Sequence, residues 1–319
     1  MDLKKQILNK RTVASFALSF IIILYLISKI DLDKVLFILK NVNIAYYLLA
    51  IAMFYLSIMI KSYRWKIFLK NAEIDLNLKD AFLIYYLSMF VNSLVPAKLG
   101  DVYRGYLLKK KTEKSISLGF GTVFIERIFD LVAMISILFI SAYLSFEANI
   151  PSEIICSIKW GVVITFLLLL SIFGFLLINS RLNLKNRKIE GILMNFEKGL
   201  KAVKLRTFPI IVILSFFGWL IEGLTIYFIF LALNLKLSVV FGIFSDLASS
   251  LLTAIPLTPS GLGIVDYALI YILKLKNLGY SESFAVLILY RLISYFSIVF
   301  FGAILFSIND INTKKEKIK

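Results

Sequence analysis

The chain of 319 residues has no histidine, a single cysteine and only five prolines. Without histidine it lacks the commonest metal ligand and the side chain that most readily shuttles protons near neutral pH. The lone Cys156 has no partner within the chain for a disulfide. Metal-dependent catalysis is therefore disfavoured, and neither a metal site nor a cofactor is expected. Acidic residues are scarce as well, 20 against 36 lysines and arginines, leaving a formal net charge of +16. Long polar stretches are also few. The longest, about 181–206, is too short to bury a core of its own, so no soluble domain is expected.

Apolar residues make up 60% of the chain, and mean hydropathy is +0.88. They gather in runs near 12–28, 44–69, 80–96, 115–146, 158–178, 208–233, 238–256, 264–275 and 282–307. Several approach the ~20 residues that carry a helix across a bilayer. The chain reads as an all-α polytopic membrane protein. Its first run follows Lys4, Lys5, Lys10 and Arg11 without a small-residue cleavage site, and is read as a retained helix.

Lysines and arginines in short connections mark the cytoplasmic side. If the first four runs all crossed, Lys109, Lys110, Lys111 and Lys114 would face outward while the N-terminus faced inward. A re-entrant hairpin over 80–108, turning at Pro96-Ala97-Lys98-Leu99-Gly100, removes that conflict. The acidic segment 146–153 then lies outside and the basic segment 181–206 inside. A second hairpin over 238–275, turning at Pro256 to Gly263 and opening to the opposite face, returns Lys314, Lys315, Lys317 and Lys319 to the cytoplasm. The expectation is about six full transmembrane helices plus two re-entrant hairpins, with eight or nine spans as the alternative. The protein would lie in the cell membrane with both termini cytoplasmic. The positive charge is then a topology signal and an attraction to anionic lipid, not a nucleic-acid surface. Within the basic linker 179–207, Ile189, Ile192, Leu193, Phe196, Leu200 and Val203 have helical spacing among lysines, the pattern of a helix lying on the inner leaflet.

The segment Val123-Phe124-Ile125-Glu126-Arg127-Ile128 aligns with Leu287-Ile288-Leu289-Tyr290-Arg291-Leu292 at an offset of 164 residues. Pro96 aligns with Pro259 at 163, as do Leu99-Gly100 with Leu262-Gly263. A single transmembrane domain, 1–319, with pseudo-repeat halves of about 1–178 and 208–307 follows. Hairpins that open to opposite faces would make the halves inverted repeats, as in many transporters. An arginine at the centre of a membrane helix costs about 2.5–3.5 kcal/mol on insertion scales, so two at matched places call for a reason.

Both turns break helices in apolar surroundings, and non-helical backbone at membrane depth needs protein cover or a wet cavity. One shared polar cavity is expected, where helix N-termini hold an anionic group and Gly100, Gly261 and Gly263 let the backbone approach it. Glu126, Arg127 and Asp130 lie at i, i+1 and i+4, so the two acids share a face and Arg127 can reach Asp130 or a partner across the cavity. Lys98, Asp101, Arg104 and Asp266 follow the turns and would line the same cavity, although Lys98 and Arg104 also suit snorkelling to the interface. Arg64-Trp65-Lys66 suits an interfacial anchor with a phosphate-binding option. Glu222 and Asp246 are single intramembrane acids without an evident partner. Asp31-Leu32-Asp33 is too short a match to support a metal–nucleotide site.

Arg64-Trp65-Lys66, Asn92 through Pro96, Leu99-Gly100, Arg104, Glu126-Arg127 with Asp130, and Pro259-x-Gly261-x-Gly263 together resemble the transmembrane region of lysylphosphatidylglycerol synthases. This flippase-like family also occurs as stand-alone membrane proteins. The likeness runs from the first span to the last. It implies lipid translocation: in two-domain relatives this part moves aminoacylated phosphatidylglycerol, which a separate soluble domain makes. Lysyltransferase activity is not expected here, because that domain is missing. Ser260 stands where the family usually has glycine, and Asp101 and Asp266 where glutamate is expected, which would reshape the headgroup pocket.

The expected function is a flippase or transporter of an anionic or zwitterionic lipid, whether anionic phospholipid, aminoacyl-phospholipid or polyprenyl-phosphate glycan. Homo-oligomerisation is left open. The expected substrate-binding set is Arg64, Asn92, Pro96, Lys98, Gly100, Asp101, Arg104, Glu126, Arg127, Asp130, Pro259, Gly261, Gly263, Asp266 and Arg291, with Arg127 and Arg291 on the phosphate. The alternative is a membrane-embedded transferase, or an accessory subunit of one, using Glu126, Asp130 or Asp101 as base on a lipid-linked donor. A scaffold whose charges are purely structural is a third reading.

Overall fold

Each apolar run becomes a helix because lipid offers backbone groups no hydrogen-bond partner, so every N–H and C=O must pair within its own segment. The computed structural model describes residues 10–95, 98–147, 149–179, 187–253 and 258–316. In chain order its helices are α1 (Lys10–Ile27), α2 (Leu32–Lys40), α3 (Ile44–Asn71), α4 (Leu78–Leu94), α5 (Leu99–Thr112), α6 (Ile116–Ser145) and α7 (Ser152–Asn179). There follow α8 (Arg187–Leu200), α9 (Phe208–Ala232), α10 (Val239–Leu252), a 3-10 turn (Pro259–Gly261), α11 (Ile264–Lys274), α12 (Tyr280–Arg291) and α13 (Ser297–Glu316). A π-helical turn, Leu292–Phe296, joins the last two. All nine apolar runs are helical over most of their described residues. The short α2 was not anticipated; Asp31 of the two-acid motif caps it by accepting from the Lys34 N–H. Asn43, Asn77, Ser115 and Ser238 start α3, α4, α6 and α10 in the same way.

By length and apolarity four segments qualify as membrane spans: Ile44–Asn71, Ser152–Ile178, Leu205–Ala232 and Tyr280–Ile308. A fifth is added if α1 and α2, bent by 89° against each other, count as one. The 30 residues of α6 are long enough, at about 45 Å, but carry Glu126, Arg127 and Asp130 at their centre. The outward faces of α1, α3, α6, α7, α9 and α13 expose large apolar side chains such as Phe20, Leu48, Phe139, Phe166, Ile213 and Phe300, as a lipid-facing surface requires.

The longest helix–helix interface joins α3 to α9. Two antiparallel pairs of short helices pack around this centre. The first is α4 with α5, of 17 and 14 residues; at about 26 and 21 Å neither reaches across a hydrocarbon core of ~30 Å. The second is α10 with α11, of 14 and 11 residues, joined through the 3-10 turn. Both expected hairpins are thus present as helical pairs. Pro96, Pro256 and the other residues of 96–97 and 254–257 lie outside the described residues. The tips meet: the Ser93 and Ser260 hydroxyls are 3.1 Å apart.

The amphipathic segment has a protein partner that the sequence did not indicate. α8 packs on α6, with Phe196 among the rings of Phe120, Phe124 and Phe175 and Leu200 buried. A Cβ on Gly199 would sit 2.8 Å from the Gly121 Cα and 2.4 Å from the Leu118 carbonyl oxygen. This glycine contact lets the two backbones touch. Ile189 and Ile192 remain exposed at the far end of the helix.

Candidate functional site

In the first hairpin Asp101, on the first turn of α5, receives Arg127 from α6. Arg127 donates from Nε at 3.1 Å and Nη2 at 2.8 Å, and also reaches Asp130 at 3.3 Å. Asn92, near the end of α4, fixes the pair: its Nδ2 donates to Asp101 at 3.2 Å and its Oδ1 accepts the Gly100 N–H at 2.8 Å. In the second hairpin Asp266, on the first turn of α11, accepts from Arg291 Nε and from the Gly263 N–H at 2.7 Å. Arg291 also donates to the Ser260 carbonyl at 3.2 Å. Arginine and aspartate are 26 residues apart in the first pair and 25 in the second. The repeated arginine of the sequence is therefore half of a repeated ion pair that ties each hairpin to the helix after it. Pro259 is buried in the 3-10 turn.

Beneath the first pair lies a buried cluster whose partners differ from expectation. Arg64 is no interfacial residue: it is fully buried, donating to Glu126 at 2.9 Å, Asp130 at 2.7 Å and Ser215 at 2.6 Å. Trp65 is also fully buried, its indole N–H on Thr122 at 3.2 Å, so it anchors no interface. Arg104 neither lines the cavity nor snorkels. Its guanidinium is sandwiched between the Trp65 and Tyr85 rings, 3.8 and 4.3 Å from their centroids, with Nη1 2.9 Å from Glu126. That approach to Glu126 lacks hydrogen-bond alignment, so ring stacking does most to orient Arg104. Glu126 accordingly belongs to Arg64 and Arg104, and Arg127 to Asp101 and Asp130. Asp130, held by both Arg64 and Arg127, joins the two sets, so the expected local trio is part of one larger network. Buried charges in this region are matched across α3, α5 and α6, as lipid requires.

Gly100 and Gly263 both face neighbouring backbone. A Cβ on Gly100 would lie 2.0 Å from the Ser88 carbonyl oxygen, and one on Gly263 3.1 Å from Ser19. Both admit a neighbouring helix at close range. Only Gly261 and Gly263, at φ of 69° and 82°, need glycine's conformational freedom as well.

Two cavities lie between the hairpins and share Lys98, Ser250 and Thr253. One, of about 150 Å³, is walled by Asn92, Ser249, Thr258, Ser260, Tyr290, Arg291, Ser294 and Glu222. The other, of about 360 Å³, has Asp101, Arg127 and Asp130 at one end and Phe120, Val123, Phe124, Met134, Ile164 and Leu168 around the rest. Lys98 lies on both. It adopts the left-handed conformation, φ 55°, and no carboxylate comes within ion-pair distance of its ammonium among the described residues. Ser260, at the opposing tip, is also left-handed, φ 48°.

Sequence reasoning missed Trp219, which lines the larger cavity, and Lys61 beside it. Lys61 forms an ion pair with Glu222, which also accepts from Ser57 at 2.9 Å; the Lys61 ammonium lies 3.2 Å from the centre of the Trp219 ring. Trp219 in turn donates to Asp130 at 2.9 Å. A lysine inside the 44–69 run was the available signal. Its partner lies 161 residues away.

A family model described as "Lysylphosphatidylglycerol synthase TM region" matches residues 12–302. A UPF0104 membrane protein of Methanocaldococcus jannaschii is 76% identical over 228 residues, covering 72% of this chain and 97% of the relative. A second from that organism is 28% identical over 94% of this chain and 96% of its own length. A UPF0104 membrane protein of Methanothermobacter thermautotrophicus is 27% identical over 83% and 85%.

Proposed function

The chain belongs to the lysylphosphatidylglycerol synthase transmembrane-region family, and from that premise we propose that it moves an anionic or zwitterionic lipid, or a lipid-linked headgroup, across the cell membrane. The observation that carries this reading is a pair of neighbouring cavities that have Lys98, Ser250 and Thr253 in common. One has more polar than apolar residues around it, hydroxyls and charges among them, the other is lined mainly by apolar side chains, and Lys98 lines both. Together they have the division of an amphiphile. A phosphate between the two would meet Lys98, with Arg291 on the polar side and Arg127 on the other; acyl or prenyl chains would lie toward Phe120, Phe124 and Leu168.

Two further features support it. Lys98 and Ser260 hold strained backbone conformations at facing tips, and such strain gathers at working sites. Short broken helices meeting at the centre, each tied to the following helix by one arginine–aspartate pair, suit inverted repeats exposing one site to either side in turn. The carboxylates that a transferase would need as a base, Asp101, Glu126 and Asp130, are each engaged by arginine, which favours transport over catalysis.

Lys98→Gln is the decisive variant, because replacing Arg127 or Arg291 would also strip an aspartate of its partner. Proteoliposomes carrying labelled anionic phospholipid, aminoacyl-phospholipid or polyprenyl-phosphate sugar are followed leaflet by leaflet. Wild type is expected to move one of them and Lys98→Gln to do so about 10–100-fold more slowly, the scale of one charge-assisted contact of ~1.5–3 kcal/mol. Chemical conversion of a lipid-linked donor by purified protein in detergent, with no leaflet exchange, would replace transport by the transferase reading.

A further inference from the structure

Asp246 has no role in the scheme above. It sits in the middle of α10, fully buried, and neither carboxylate oxygen has an aligned hydrogen-bond donor among the described residues. The nearby hydroxyls on its own helix are spent elsewhere: Ser245 donates to the Phe241 carbonyl at 2.7 Å and Ser249 to the Ser245 carbonyl at 2.8 Å. The groups acting on it are Glu222 from α9, Lys61 from α3 and Tyr290 from α12. Of these, Lys61 is taken by Glu222. α10 also packs on α6 and α11, but the charges those helices direct inward are already paired: Glu126 with Arg64 and Arg104, Arg127 with Asp101 and Asp130, and Asp266 with Arg291.

An ionised carboxylate in such a place has no counter-ion of its own, has the Tyr290 hydroxyl beside it without an aligned hydrogen bond, and stands near a second carboxylate, an arrangement that burial makes costly. A neutral carboxylic acid avoids both costs. Glu222 and Tyr290 reach the wall of the polar cavity, so a proton has a short route between Asp246 and that space. We infer that Asp246 is a proton-binding site, with Glu222 as the group that exchanges its proton with the central cavity. When Asp246–COOH gives its proton to the Glu222 carboxylate, Asp246 becomes COO⁻ and Glu222 becomes neutral. Lys61 then loses its ion pair. Its ammonium lies over Trp219, which holds Asp130, so the proton's position reaches the arginine cluster around Arg64 and Arg127 through contacts already described. Proton movement is thereby coupled to the state of the cavity.

The coupling rests on the transport reading, but proton binding is measured without any lipid substrate. Infrared spectra of purified protein in liposomes at neutral pH are expected to contain the carbonyl stretch of a protonated carboxylic acid, displaced by ¹³C-aspartate labelling, lost in Asp246→Asn and retained in Glu222→Gln. Isotope labelling of the wild type keeps the assignment testable if Asp246→Asn does not fold. Absence of the band from wild type, or its loss in Glu222→Gln alone, overturns the assignment. In proteoliposomes that move lipid, an imposed pH gradient is expected to change the wild-type rate and leave the Asp246→Asn rate unchanged; a wild-type rate indifferent to the gradient overturns the coupling. If no lipid moves and the band behaves as expected, the transport reading fails and the proton site stands.

Discussion

Arg64 is shared by two carboxylates of α6 and a hydroxyl of α9, a geometry that a planar guanidinium can fill and a single ammonium cannot. Removing one partner from a buried charge cluster typically costs about 3–5 kcal/mol because the survivors stay buried. Arg64→Gln is therefore expected to lower the thermal midpoint in detergent strongly, and Arg64→Lys to recover only a minor part. A lysine variant melting with the wild type would show that charge alone suffices. Lys98 is the contrasting case. Its replacement by glutamine is expected to leave the midpoint near that of wild type, since it holds no carboxylate. Sequence reasoning found both residues but gave them comparable roles. Helical spacing and interfacial composition place Arg64-Trp65 at a membrane boundary equally well; only the contact with α6, 62 residues away, turns Arg64 inward.

Among the helices, glycine decides how closely pairs pack. In the first hairpin a methyl group at Gly100 would collide with the Ser88 carbonyl and the Asn92 side chain that fixes Asp101. Gly100→Ala is expected to cost at least the ~1–3 kcal/mol of overpacking. Gly174→Ala, where a Cβ meets nothing within 4 Å, is expected to be neutral or slightly stabilising; equal melting of the two would sink the packing argument. The α6–α8 contact offers a second test. Gly199→Ala forces the backbones apart, so trypsin should cut at Lys198, Lys201 and Lys204 several-fold faster than in wild type. Unchanged cleavage would mean that α8 does not depend on that glycine contact. Its helical period was legible in the sequence. Its docking partner was not, because an apolar face suited to a membrane surface also suits a neighbouring helix.

For the whole molecule, orientation is the property that charge counting proposes. Cys156, the chain's one cysteine, is exposed near the start of α7 and serves as a native probe. With both termini cytoplasmic, a membrane-impermeant maleimide should label Cys156 from outside in intact cells. Lys111→Cys, in a Cys156→Ser background, should be labelled only after permeabilisation. The opposite pattern would invert the topology. Labelling of both from the same side would mean that α6 does not cross, and the opposite pattern is also what a first hairpin opened into a full crossing would give.

The sequence by itself determined the membrane class, the helical segments, the two broken-helix turns and the repeated arginine, because these follow from local chemistry: apolar run length, helix-breaking residues and charge beside a span. The tertiary structure alone decided which charge meets which. Arg64 and Arg104 left the expected interface for the core, each repeated arginine acquired an aspartate from its own hairpin, and Lys61 found Glu222. Those choices belong to packing. Inside a membrane a charge must find a partner wherever the fold brings one, and sequence spacing does not encode the distances between helices, whether 22 residues separate the partners, as for Arg104 and Glu126, or 161, as for Lys61 and Glu222.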